Sequence, residues 1–353
     1  MRWPFALCAL LVLALSAHAA IVTVDYSLDT GSLFSSNPTA KAAVEAAAAD
    51  IGNAITHSLG AVPTDIYSGT NGSTTAQFDW KFNVTNPSTG AIFTQNTFSF
   101  SVNSLTVYAG WRPLTGLTLG VGGPAGGGFT FSGTGSASQW VGAVAAAESA
   151  SNAAMSRRIG PVIGRLSGSS TLGGTTANYS VRYGPMLGSL SLDSDSDNDG
   201  SADSAAVLAN YWHYDHTTAV AAGKNDLYSV ALHEILHGIG FGVSDTWDSL
   251  HSGTTWTGQN VIALQGTGAN MVSADGGHIA SGAMSTRISD GVAQEAVMDP
   301  SLTVGTRKYL TQLDLAFLND LFSIPEPSSG MLAAAAGLFL LLNRRRHARP
   351  ALA

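Results

Sequence analysis

Two histidines and a glutamate in "SVALHEILHGIGFGVSD", residues 229–245, have the types and spacing to do chemistry. On a helix, His233 and His237 project from one face, with Cβ atoms about 5–6 Å apart. Two imidazoles so placed can hold one Zn2+ at about 2.0–2.1 Å. Glu234 lies one residue round from the first ligand, where it can reach a metal-activated water without binding the metal. Zinc lowers the pKa of such a water toward about 7, and the glutamate can take its proton as it attacks a carbonyl. The same carboxyl can then pass the proton to a leaving amine. A catalytic zinc needs three protein ligands and one open position. Spacing alone leaves the third ligand open among Asp245, Asp248 and His251 in the following loop, Glu295, and the distant His278.

The elements that must position these groups are legible around them. "NDLYSVALHEILHGIG" predicts a helix that Asn225 or Asp226 can cap, flanked by Leu227, Val230, Ala231, Ile235 and Leu236. Histidines set among such apolar residues would be buried at a cost unless something pairs with them. Gly240 can take the left-handed conformation that ends the helix. Downstream, Met298-Asp299-Pro300 is a turn signal. Thr311 and Asp314 suit the cap and third position of a last helix with Leu313, Phe317 and Leu321 on one face. Upstream, "IVTVDYSL" alternates like a strand, and "SNPTAKAAVEAAAADIGNAITHSL" reads as a helix capped by Ser36 or Asn37 with Pro38 in its first turn. "AQFDWKFNV", "SLTVYAGW" and "NYSVRYG" read as further strands. Residues 113–176, rich in Gly, Ser and Thr, read as an insertion of long surface loops around one helix, "ASQWVGAVAAAESASNAAM".

Two other clusters carry ligand-type side chains. "DSDSDNDGSAD" sets Asp195, Asp197, Asp199 and Asp203 around Gly200 in the manner of calcium loops. Ala206 stands where an EF-hand loop would carry its bidentate glutamate, so a looser calcium site is expected. "NYWHYDHTT" brings His213, Asp215 and His216 together, a weak pattern for a second, structural zinc.

The chain of 353 residues suffices for one large domain, and only 11% of it is charged. A net charge of −8 offers no basic face for nucleic acid. Residues 1–20 have Arg2, an apolar run and the Ala17-His18-Ala19 pattern of a secretory signal peptide. Cys8, the only cysteine, lies inside that segment, so the mature chain is expected to hold no disulfide. At the other end, residues 323–329 read as a linker with a Pro-Glu-Pro motif. Residues 330–353 form an apolar run, Met331 to Leu342, followed by Arg344, Arg345 and Arg346. That run is shorter than the roughly 17–25 residues that span a bilayer comfortably, and the basic cluster would stay cytoplasmic.

These C-terminal parts, in this order, resemble the PEP-CTERM sorting signal of Gram-negative bacteria. That resemblance implies export, transient association with the inner membrane, an exosortase-type enzyme as partner, and a final place at the cell surface or outside the cell. The HExxHxxG run from His233 to Gly240 is similar to that of metzincin zinc proteases, and "DLYSVALHE" to the matrixin-type approach to that helix. The distant histidine, the methionine turn and the last helix resemble the leishmanolysin-like branch, in which an insertion separates the motif from the third ligand. The resemblance covers residues 205–322 closely. It implies zinc held by His233, His237 and His278, Glu234 as catalytic base and Met298 in the turn beneath the site. A substrate-pairing edge strand is implied near "NYWHYDHTT". The expected fold of residues 21–322 is α+β and zincin-like, a twisted sheet packed on the active-site helix, with a smaller C-terminal subdomain ending in a helix. The expected activity is that of an exported zinc metalloendopeptidase acting on protein or peptide. The alternative is a non-catalytic surface or matrix protein on the same scaffold.

Overall fold

The computed structural model describes residues 20–158 and 160–322. The signal-peptide reading of residues 1–20 therefore lies outside the described residues except for Ala20. The linker at 323–329 and the apolar and basic tail at 330–353 lie outside them entirely. Among the described residues, no helix is long and apolar enough to cross a membrane.

The chain opens with β1 (Ile21–Asp25), a short α1 (Leu33–Ser36) and α2 (Pro38–Ala54). Asn37 caps α2 through its side chain, which accepts from the Ala40 amide at 3.0 Å, and Pro38 occupies the first turn. Next come β2 (Ile66–Asn71), β3 (Thr74–Thr85), β4 (Ile92–Gln95) and β5 (Ser104–Arg112). After them follow β6 (Gly120–Pro124), β7 (Gly126–Thr134), α3 (Ala137–Met155), β8 (Gly164–Leu172), β9 (Thr175–Tyr183) and β10 (Leu187–Asp193).

The strands form two main sheets. In the central sheet the order is β1-β5-β10-β6; β1, β5 and β10 run parallel, and β6 closes one edge antiparallel to β10. In the second sheet the long β3 pairs with β2 and β4 in succession along one edge and with β7 along the other. β8 and β9 form a hairpin, and α3 packs against β2, β3 and β9.

Residues 113–176 are thus not an insertion of loops. They hold β6, β7, α3 and β8, with β6 in the central sheet. Glycine and serine hid these strands because no apolar alternation marks them. The order comes instead from β3, whose alternate residues are buried along its length and which offers a template to pair with. The glycines leave room for aromatic rings: a Cβ on Gly127 would lie 2.6 Å from the Tyr183 ring, and one on Gly133 would lie 2.4 Å from Trp140.

Two buried apolar clusters result, one around the central sheet and one around β3 and α3. Arg157, fully buried, binds main-chain carbonyls from several segments. Its guanidinium donates to Gly60 O, Ser101 O, Ser104 O and Pro185 O at 2.6–3.2 Å. Burial lowers its pKa to about 10, which leaves it charged at neutral pH.

The second half begins with α4 (Ala205–Tyr211), β11 (Trp212–His213) and β12 (Asn225–Asp226), and enters α5 (Leu227–Gly238). Asp226 caps α5 by accepting from the Ser229 amide at 3.1 Å, and Arg307 grips both of its carboxylate oxygens. Helix α5 lies against α2, β6 and β10, so the central sheet does pack on the HExxH helix. Beyond it run α6 (Asp245–Ser249), β13 (His251–Ser252), β14 (Thr255–Trp256), α7 (Gln259–Gln265), β15 (Met284–Thr286), β16 (Ala293–Glu295) and α8 (Gln312–Phe322). Phe241, Trp247, Trp256 and Phe317 pack as tilted rings with centroids 4.6–5.7 Å apart and hold this part to α8.

Candidate metal centre

Helix α5 sets its two histidines on one face, and Gly240, at φ 104°, ends it and turns the chain away. A compact turn, in which Val272 bridges Ile279, then brings His278 back. The Ser273 amide donates to His278 O at 2.9 Å, and the Trp247 indole donates to Gly276 O at 2.7 Å. Gly242 lets the turn close in, since a Cβ there would meet Gly277 O at 1.9 Å.

His233, His237 and His278 converge, their Nε2 atoms 3.2 Å apart for both the 233–237 and the 237–278 pair. The far ring nitrogens fix the tautomers. Nδ1 of His233 bonds Val297 O at 2.9 Å, Nδ1 of His237 bonds Phe241 O at 2.8 Å, and Nδ1 of His278 bonds an Asp275 carboxylate oxygen at 2.9 Å. Carbonyls and carboxylates only accept, so each Nδ1 carries a hydrogen, and a ring in its neutral form then turns the Nε2 lone pair inward. Burial, with the neighbouring imidazole adding to it, lowers His233 to a pKa of about 3. Burial also lowers His237 to about 4, against the Phe241 hydrogen bond, so both are neutral at pH 7. Lone pairs crowded at 3.2 Å repel unless a cation lies among them. Tetrahedral ligands about 2.05 Å from a zinc would stand about 3.3 Å apart, close to this spacing. The donor set fits such an ion.

Glu234 faces the same cleft. Burial raises its carboxyl to about 7, with a hydrogen bond from the Gly122 backbone working the other way. The strand beside it is β6, and two of its glycines permit the approach. A Cβ on Gly120 would lie 2.8 Å from Glu234 Cγ, and one on Gly122 would lie 2.1 Å from Glu234 O. The cleft has a volume of about 540 Å3 and also takes in Leu117, Val230, Ser301, Leu302 and Lys308.

Met298 is fully buried, and its turn ties the ligands together through the main chain. Val297 O receives His233, while Met298 O receives the amide of Ile279, the residue after His278. Asp314 of α8 holds this turn by accepting from the Val297 amide at 3.0 Å and the Met298 amide at 3.1 Å. It also accepts from the Thr311 amide and hydroxyl, which completes the expected cap of α8.

The other third-ligand candidates are engaged elsewhere. His251 bonds Gly253 O and lies 3.8 Å from Asp248, Glu295 pairs with Lys308 at 3.2 Å, and Asp245 starts α6. His213, Asp215 and His216 do not gather as ligands. His213 meets Thr218 and the Ala221 amide, Asp215 caps Thr217, and His216 stacks on Tyr228. The strand there is the two-residue β11, paired with β12 apart from the main sheets, and Arg307 binds the Asp215 and Thr218 carbonyls beyond it; the edge of the central sheet beside α5 is β6. In the acidic loop, Asp195, Asp197 and Asp203 converge, while Asp199 turns to the Ser201 amide at 2.8 Å.

Reasoning from the sequence missed Asp275, the glycine approach of β6 and the clamp on the Met298 turn. The signals were slight: an aspartate three residues before His278, a glycine run without periodicity, and a buried aspartate visible only as a helix cap.

A PEP-CTERM protein-sorting motif matches residues 323–346. The chain therefore carries the signal by which an exosortase-type enzyme sorts proteins exported through the inner membrane of Gram-negative bacteria. Neither the curated proteins nor the solved structures compared with the chain include a match.

Proposed function

We propose that the chain is an exported zinc-dependent endopeptidase, delivered to the cell surface or beyond. The observation that carries this reading is the convergence of three imidazoles, each held by a hydrogen bond at its Nδ1, beside a carboxylate of raised pKa in one cleft. His233, His237 and His278 would hold the metal, leaving a position open toward the cleft. Bound zinc would supply Lewis acidity, polarising a carbonyl and bringing the pKa of water toward about 7. Glu234 accepts a proton at its carboxylate and returns it to the leaving amine. A carboxyl near neutrality suits both transfers, since it neither holds nor releases the proton too firmly. The exposed edge of β6 runs antiparallel to β10 and beside Glu234, where an extended peptide can add as a further strand.

The test is zinc content per chain together with cleavage of a broad peptide library by wild type and by Glu234→Ala. One zinc per wild-type chain, with cleavage lost in the variant, is the expected outcome. One zinc with no cleavage in either form would instead favour a non-catalytic surface protein on the same scaffold.

A further inference from the structure

The three imidazoles are not held alike. His233 and His237 sit on α5 and donate to main-chain carbonyls, which the fold itself fixes. His278 sits on the 272–279 turn with a side chain 23% exposed, and its donor goes to another side chain, Asp275. Asp275 is itself oriented: Oδ1 accepts from the Gly277 amide at 2.9 Å and from the Ser273 hydroxyl, leaving Oδ2 for the imidazole. One oxygen braces the turn and the other braces the ring.

We propose that Asp275 is a positioning residue for His278, setting the metal affinity of the site; this rests on the zinc reading above. A partly exposed histidine on a turn has several rotamers and two tautomers open to it. A carboxylate 2.9 Å from Nδ1 selects one of each, because it can only accept a hydrogen. Its negative charge on the far side of the ring also makes Nε2 a stronger donor than a neutral carbonyl would. The turn does not depend on this carboxylate alone, since the Val272–Ile279 bridge and the Trp247 bond to Gly276 O also hold it. Outer-shell partners of metal-binding histidines typically change affinity about 10–100-fold, and a similar loss is expected here.

The experiment measures the zinc Kd of the full chain by competition with a chromophoric chelator, the visible spectrum of the Co2+ form and the melting temperature of the metal-free form. Asp275→Asn should weaken zinc binding about 10–100-fold, reduce the intensity of the tetrahedral Co2+ bands and leave metal-free melting unchanged. Ser273→Ala, which keeps the carboxylate but frees it, should weaken binding by a smaller factor. If Asp275→Asn binds zinc within threefold of wild type while His278→Ala weakens it, the positioning role falls and the zinc reading stands. An Asp275→Asn chain whose metal-free form melts far lower would also overturn it, as a merely structural effect. Failure of wild type to bind zinc, or full affinity in His278→Ala, overturns both.

Discussion

Replacing Gly122 by alanine tests whether the glycines of β6 are there to let the strand reach Glu234. The added Cβ would lie 2.1 Å from Glu234 O, against an ordinary contact of at least 3.4 Å. The obstacle is backbone, which cannot swing aside, so β6 and α5 must part by about 1.3 Å, the difference between those two distances. Forcing extra volume into a packed contact typically costs about 1–3 kcal/mol. Gly123 is the control. It lies in the same strand, yet a Cβ there meets nothing within 4 Å, so Gly123→Ala shares any change in strand propensity without the clash. Urea unfolding reads the difference: with a slope of about 1–3 kcal/mol/M, Gly122→Ala should unfold at a midpoint about 1 M below Gly123→Ala. A displacement of about 1 Å at the base should also lower peptide cleavage on the order of 100-fold, with zinc content unchanged. Equal midpoints and equal activities in the two variants would refute the close approach as the reason for these glycines.

Glu234→Gln should keep one zinc per chain by elemental analysis and lower cleavage by about 10²–10⁴-fold in a peptide assay. Asp314→Ala strips the acceptor from the Val297, Met298 and Thr311 amides at once. It should destabilise the protein by at least about 3 kcal/mol in chemical denaturation, at about 1 kcal/mol or more for each buried donor left unpaired. His233 and His237 titrate near 3 and 4 in the fold, below their value of 6.5 when free, so the unfolded chain takes up protons first as pH falls. Glu234, raised from 4.5 to about 7, takes up its proton in the fold first and offsets part of this loss. The metal-free protein should therefore lose stability as pH falls from about 6.5 toward 3, most steeply below about 4.5. A denaturation midpoint that does not change from about pH 5 to pH 3 would count against the buried, neutral pair. Calorimetric titration with Ca2+ should give heat that Asp197→Ala and Asp203→Ala abolish and Asp199→Ala largely keeps, since only the first two belong to the converging set.

The parts of the site that obey local rules were readable in the sequence. The spacing of His233 and His237 sets their common face, Asp226 and Thr311 announce their helices, and Gly240 marks the exit. His278 could be singled out only by resemblance, because its approach to His237 depends on a turn closing against Gly242 and Trp247, and neither carries a periodic signal. In the lobe built on β3, whose long strand, helix α3 and strand β9 were legible, the glycine-rich strands escaped for a different reason. β7 and β8 are ordered by long-range pairing and by aromatic rings filling space over glycines, whereas local alternation is what a sequence displays. Asp275 and Asp314 act on main-chain groups and on a ring nitrogen, and such partners leave no trace in composition.

Helix α8 runs through Phe322, still buried, and the sorting motif begins at residue 323. The address is therefore written immediately after the last piece of the candidate centre, the helix whose Asp314 holds the Met298 turn. A polypeptide that stops short during synthesis loses its destination before it loses anything else, and one that bears the destination has already had α8 made. The sorting motif thus marks a chain already long enough to include α8 and every residue of the candidate centre.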